Sequence, residues 1–269
     1  MTAPFRIGVA GCAGRMGQML LRAIAANKEC AIGGGTERPG SPAIGRDLGE
    51  LIGLAPAGVK AGDDPKALFA ACDAVLDFTA PAPTMAHVAL AAERKAIHVI
   101  GTTGLTPEQI ATVERAAETT PIVFAPNMSV GITLLMALSE RVASILGPDW
   151  DIEVLEMHHN KKVDAPSGTA LGLGEAAAKG RGVKLADVAD KVRDGHTGAR
   201  RPGDIGFAVL RGGNVTGDHS VIFAGDSERI ELTHRSGSRE IYANGAVRAA
   251  LWARGRKPGL YTMRDVLGL

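Results

Sequence analysis

A chain of 269 residues, 45% hydrophobic and 22% charged, has room for one large domain or two modest ones and lacks the composition of a disordered segment. Thirty basic against 29 acidic residues leave a formal charge of +1. No global field therefore draws the protein to nucleic acid, and any anion it binds must be met by a local cluster. The opening MTAPFRIGVA has no basic segment leading an apolar run, so no secretory signal is expected. The longest apolar helix candidate, ITLLMALSERVASIL, is broken by Glu140 and Arg141 and is too short to span a bilayer. Cys12, Cys30 and Cys72 are odd in number and lack CxxC spacing, which points to reduced thiols in a cytoplasmic protein and away from a zinc ribbon.

Along the first 127 residues two periods alternate. Phe5–Ala10, Ala31–Thr36, Val75–Thr79, His98–Thr102 and Ile122–Ala125 read as short strands, with helical patterns at Met16–Asn27, Thr84–Lys95 and Pro107–Glu118 between several of them. The last helix opens with Thr106, Pro107 and Gln109: a cap, a proline at the first helical position, and a side chain that reaches back to the cap. Such alternation predicts an α/β fold, a doubly wound parallel sheet with helices on both faces. After Asn127 the pattern changes. A helix over about Ser129–Leu146 leads to the strand DIEVLEMHH and to a helix starting near Ser167. Three extended runs follow, IGFAVLRG, HSVIFAG and RIELTHRS, joined by GNVTGD and DSE, and these predict an antiparallel meander. From Ser238 on the chain returns to helix, with NGAVRAALWARG ending at glycine and a second capping box at Thr262–Asp265.

Gly11, Gly14 and Gly17 in GCAGRMG follow an apolar strand and open a helix. Glycines there let the backbone approach a pyrophosphate, whose charge is favoured by the amides and dipole of the helix start. The spacing is not G-x-G-x-x-G, because Cys12 takes a glycine's place, and a plain tight turn is the competing reading. Glu37, beyond a second strand, suits a ribose 2′-hydroxyl, and Arg38 suits a 2′-phosphate; a solvated acid–base pair is the alternative. A dinucleotide site is the better reading.

EMHHNKKVDAPSGTA, from Glu156 to Ala170, carries a second cluster. Neighbours on a strand point to opposite faces, so His158 and His159 line one pocket only if the strand ends there. A metal site with Asp164 is disfavoured, because the histidines lack helical i, i+4 spacing and lysines adjoin them. Ser167 reads as a helix cap, and backbone amides should point out of that helix start. Helix-start donors, an imidazole that titrates near neutrality and a lysine together suit a carboxylate-bearing substrate that needs a proton.

On these residues the sequence resembles the bacterial-type 4-hydroxy-tetrahydrodipicolinate (dihydrodipicolinate) reductases of the diaminopimelate route to lysine. GCAGRMG, TER at Thr36–Arg38, GTTG at Gly101–Gly104, APNMSVG at Ala125–Gly131 and EMHHNKKVDAPSGTA carry the resemblance. GHTGARRPGDIGF, ERIELTH and ANGAVRAALW extend it over essentially the whole chain. It implies a discontinuous Rossmann domain (residues 1–127 and 240–269) and an α+β domain (128–239), with a mixed or antiparallel sheet, that binds substrate and builds a homotetramer. It further implies that NADH or NADPH is held by Gly11, Cys12, Ala13, Gly14, Arg15, Met16, Glu37, Arg38, Gly101, Thr102, Thr103, Ala125, Pro126, Asn127 and Met128. His158 would exchange the proton and Lys162 donate one, with His159, Gly168 and Thr169 on the substrate and no metal. Met128 stands where some members carry phenylalanine, and Ala80 where a basic residue occurs. Another imine or aldehyde reductase on the same plan, or a dinucleotide sensor without turnover, are the competing functions; a sensor needs neither His158 nor Lys162.

Overall fold

The computed structural model describes residues 4–269; the first three residues of the opening segment, on which the absence of a signal was read, lie outside them. The chain divides into two compact units, residues 1–130 with 240–269, and residues 131–239, so Met128, Ser129 and Val130 group with the first.

In chain order the first unit contains β1 (Phe5–Ala10), α1 (Arg15–Ala26), β2 (Cys30–Thr36), α2 (Leu48–Leu51), β3 (Ala61–Gly62), α3 (Pro65–Ala71), β4 (Ala74–Asp77), α4 (Pro81–Arg94), β5 (Ile97–Ile100), α5 (Pro107–Ala117) and β6 (Pro121–Phe124). The second contains α6 (Val130–Ile145) from Gly131 on, β7 (Asp151–His158), α7 (Gly168–Gly180), α8 (Leu185–Val188), β8 (Ala189–Asp190), β9 (Ile205–Arg211), β10 (Asp218–Ala224) and β11 (Arg229–Arg235). The chain then re-enters the first unit with α9 (Glu240–Ala253), β12 (Gly259–Tyr261) and α10 (Met263–Leu267).

Among the described residues of the first unit the sheet runs β12-β6-β5-β4-β1-β2-β3, parallel throughout. The direction of winding reverses between β1 and β4, the crevice where open parallel sheets take ligands. This is the doubly wound sheet expected from the alternating periods. Buried Gly17, Leu20, Leu21 and Ile24 recur at helical spacing along α1 and join one core with β1, β4, β5 and the alanine face of α9. The Thr106–Gln109 capping box is present, with the Thr106 N–H donating to Gln109 Oε1 at 2.9 Å. α4 begins at Pro81, ahead of the expected Thr84, because Pro81 and Pro83 fall in the first turn, where a missing N–H leaves no gap. β12 was not expected from the helical reading of the last thirty residues; three residues are too few to show a period of two.

The sheet of the second unit runs β11-β10-β7-β9-β8 and is mixed. The expected meander is therefore corrected. β10 and β11 form an antiparallel hairpin, but β9 pairs with β7 in parallel, and β7 lies between β9 and β10. The cause is the long crossover through α7 and α8, which returns the chain on the far side of β7 in the same direction. GNVTGD is thus no hairpin turn. It passes over the end of β7, where Val215 O accepts from His159 N at 2.7 Å and His158 O accepts from Gly212 N at 2.9 Å. Ile152, Val154, Ile205, Val221 and Phe223 point from one face of this sheet into a core with α6 and α7.

Candidate functional site

At the head of the first unit, β1 ends in Gly11, whose φ of +68° is easy only for glycine. A Cβ on Gly17 would sit 2.1 Å from Gly11 O, so the loop and α1 touch only because position 17 is bare. The N-cap of α1 is Gly14, with no side-chain cap, leaving the first-turn amides of an exposed helix start to an anion. Glu37 closes the other side: its Oε1 accepts from Ala13 N at 2.8 Å. Arg15, Arg38 and Thr103 are exposed. This cradle fits a dinucleotide diphosphate with an acid beside it for a ribose hydroxyl.

Of the expected cofactor residues, Cys12, Thr102 and Met128 have buried side chains. Cys12 is fully buried against Gly35, and burial followed by the charge of Glu37 pushes its thiol up to about 12; its N–H is bonded to Thr36 O. Thr102 is buried in a hydroxyl network at the end of β5, with its Oγ1 2.8 Å from that of Thr84. Met128 lies in the hydrophobic core, its backbone against Gly245. Gly101 packs on the Phe78 ring, where a Cβ would come within 2.1 Å. Pro126 is exposed, Ala125 is buried, and Asn127 is half-buried with its Oδ1 accepting from Ser129 N at 2.9 Å.

In the second unit β7 does end at His158, which resolves the geometric objection to the histidine pair: His158 faces inward and His159 lies in the loop beyond. The centre of the cluster is Glu156, two residues earlier on the same face and 1% exposed. Its carboxylate takes His158 Nδ1 at 2.5 Å, Ser167 N at 3.0 Å and both Arg211 terminal nitrogens at 2.8 and 3.0 Å. Burial alone would raise this carboxyl, but the hydrogen bonds from Arg211, His158 and Ser167 outweigh it and hold it below the ordinary range. A carboxylate only accepts, so the His158 proton sits on Nδ1, and Nε2 is left for exchange. A Cβ on Gly217 would lie 3.0 Å from that Nε2, so the crossing loop keeps the nitrogen clear by having no side chain there.

His219, on β10, meets His158 edge to face with ring centroids 5.1 Å apart, and its Nε2 lies 3.2 Å from Ser167 Oγ. Burial, then electrostatic repulsion from the neighbouring His158, pushes His219 down to about 4, so it stays neutral beside its partner. Lys162 Nζ bonds both oxygens of Asp164 at 2.8 Å, which holds the Asp164 carboxyl below its usual range. The expectation that the whole helix start is open is corrected at one position: the Ser167 amide is already bonded to Glu156, and Ser167 Oγ caps α7 by accepting from Ala170 N at 3.1 Å. Gly168 is exposed, and a Cβ there would meet nothing within 4 Å, so the space over the first turn of α7 is open.

Glu156, Arg211 and His219 were missed by sequence reasoning. A signal for Glu156 existed, because period two places it on the same face as His158. The other two join from strands far along the chain. Among the described residues no group of three or more His, Cys, Asp or Glu could hold a metal ion, and no helix is long and apolar enough to cross a membrane.

Two family models match, described as dihydrodipicolinate reductase, N-terminus, over residues 5–128, and dihydrodipicolinate reductase, C-terminus, over residues 131–267. The 4-hydroxy-tetrahydrodipicolinate reductase of Ruegeria pomeroyi is 56% identical over 263 residues, 98% of either chain. That of Methylocella silvestris is 56% identical over 264 residues, covering 98% of this chain and 97% of its own. In fold, the chain is similar to the dipicolinate-bound dihydrodipicolinate reductase of Paenisporosarcina sp. TG-14, with a TM-score of 0.79, 24% identity and coverage of 98% and 99% of the two chains.

Proposed function

The chain belongs to the dihydrodipicolinate reductase family, and on that premise we propose that it reduces 4-hydroxy-tetrahydrodipicolinate to tetrahydrodipicolinate with NADH or NADPH, in the diaminopimelate route of lysine biosynthesis. The observation that carries the chemistry is the Glu156–His158 pair at the end of β7, a buried carboxylate 2.5 Å from an imidazole whose second nitrogen is kept clear by Gly217.

When bound, the dinucleotide supplies a hydride. The bare helix start of α1 and the loop Gly11–Met16 would bind its diphosphate, and Glu37 would accept from a ribose hydroxyl beside its bond from Ala13 N. Arg38, exposed beside Glu37, would meet the 2′-phosphate of NADPH. The amides of Gly168 and Thr169 at the start of α7, together with His159, would hold the substrate's carboxylates. His158 exchanges its proton at Nε2, and Glu156 steadies the imidazolium while that nitrogen is protonated. Lys162, held by Asp164, donates a second proton. Loss of the hydroxyl as water takes a proton at the departing oxygen and releases one from the ring, and the hydride-reduced ring then takes one up. His158 would give and take a proton and Lys162 donate the other, for a net uptake of one.

This reading includes a homotetramer built through the second unit. Its support is the sheet face turned away from α6 and α7, which carries Leu155, Met157, Leu210 and Ile222, with Leu210 48% exposed. It also places the enzyme in the cytoplasm, consistent with three buried, unpaired thiols. The test is oxidation of NADH and of NADPH by purified protein given the cyclic substrate. No substrate-dependent oxidation with either cofactor would reject the reading and leave the dinucleotide sensor.

A further inference from the structure

β4 is an apolar strand that ends in a fully buried acid, Asp77. Its Oδ1 accepts from Thr79 N at 3.0 Å and from Thr79 Oγ1 at 2.6 Å, while Oδ2 takes His87 Nδ1 at 2.8 Å from α4. Beside it the hydroxyl of Thr84 lies 2.8 Å from Thr102 Oγ1 and 3.4 Å from Thr79 Oγ1, and Thr102 Oγ1 lies 3.4 Å from Asp77 Oδ1. Backbone and ring contacts reinforce the link: Gly101 N donates to Asp77 O at 2.9 Å, and Gly101 rests on Phe78. His98 Nε2 stands 3.5 Å from Asp77 Oδ2, too far for a hydrogen bond, and the ring packs edge-on against Phe69 instead. Burial alone would raise the Asp77 carboxyl, yet the hydrogen bond from His87 and the nearby ring of His98 hold it well below its ordinary range.

An unpaired carboxylate in a core costs several kcal/mol, so an apolar side chain would serve packing better if packing were the only demand. The bonds made by this acid run instead to the turn after β4, and through Thr84 to the turn after β5, at the carboxyl ends of strands beside the winding reversal. We infer that Asp77, backed by His87 and bridged by Thr84, is a positioning group for the dinucleotide site, clamping the Phe78–Thr79 and Gly101–Thr103 turns in register. This inference rests on the reductase reading, because it presumes that Gly101–Thr103 meets the cofactor. Asp77, Thr84 and His87 lie beneath those turns and act through them.

The experiment is fluorescence titration of NADH into full-length Thr84→Val and Asp77→Asn proteins, with calorimetric titration of dipicolinate and thermal melting alongside. Thr84→Val keeps shape and removes only the bridging hydroxyl, and is expected to weaken NADH about three- to tenfold. Asp77→Asn is expected to weaken it by about tenfold or more, with KM for NADH rising while KM for the cyclic substrate and dipicolinate binding stay put. Folded variants that bind NADH as tightly as wild type would overturn the clamp, and so would equal losses for NADH and dipicolinate, which mark a global effect. Should Asp77→Asn fail to fold, Thr84→Val decides. Wild-type protein that binds neither NADH nor NADPH would overturn the reductase reading itself and the clamp with it.

Discussion

Glu156 holds His158 in one tautomer: with Oε2 2.5 Å from Nδ1, the ring must present Nε2 to whatever enters the site. Replacing Glu156 with Gln keeps one acceptor, for Ser167 N and one Arg211 nitrogen, but turns an amide N–H toward Nδ1 and reverses the tautomer. Turnover is expected to fall about 10²-fold, close to the loss in His158→Gln and within the usual range for general acid–base groups. NADH binding is expected to be unchanged in both. Steady-state kinetics and NADH titration on both variants check this. Normal turnover in Glu156→Gln would separate the two residues.

Arg38 sits exposed next to Glu37, so the two cofactors are expected to depend on different side chains. Arg38→Ala should weaken NADPH by about 1.5–3 kcal/mol, the worth of a charge-assisted hydrogen bond, and NADH by much less. Steady-state kinetics with both cofactors measures the difference. Equal losses would show that Arg38 does not read the phosphate.

The open space over Gly168 bears on ligand choice. Dipicolinate, a planar diacid, is expected to compete with substrate, and the monoacid picolinate to do so at least about tenfold more weakly, as one charge-assisted contact is lost. Gly168→Val should erase the difference by filling the space. Competitive inhibition constants for both acids on both proteins test this, and a monoacid as strong as the diacid would reduce residues 166–169 to an ordinary helix cap.

His219 makes folding sensitive to acid. Its folded value near 4 lies below the ordinary 6.5, so as pH falls the unfolded chain takes up the proton first and stability drops between those values. The loss is about 2 kcal/mol at pH 5 by linkage. His219→Gln, which keeps a partner for Ser167 Oγ, is expected to shrink the difference in melting temperature between pH 7 and pH 5. A variant as acid-sensitive as wild type would assign the effect elsewhere.

What the sequence disclosed and what it hid follow a physical division. The glycine loop, the capping box at Thr106 and the Ser167 cap are local, each set by residues within a few positions, and each stands where the sequence places it. Glu156–Arg211 spans 55 positions and Ser167–His219 spans 52, so those pairs exist only once β9 and β10 have flanked β7. The same nonlocality explains the misread meander: turn-like composition in GNVTGD fits a tight hairpin and a loop crossing a strand end equally well. Asp77 was passed over because one acid ending an apolar strand leaves the period undisturbed.

The return of the chain to its first unit sets an order on biosynthesis. Ala243, Ala246, Ala250 and Ala253 of α9 cover the same core as Val9, Leu21 and Leu76, and β12 supplies the sheet's edge beyond β6. While the ribosome is still making residues 131–239, that core lacks its cover, so the second unit can complete its own packing before the older part of the chain does. The nascent chain must therefore keep an unfinished apolar surface out of trouble for roughly a hundred residues of synthesis, a window in which a chaperone that shields apolar surface has something to hold.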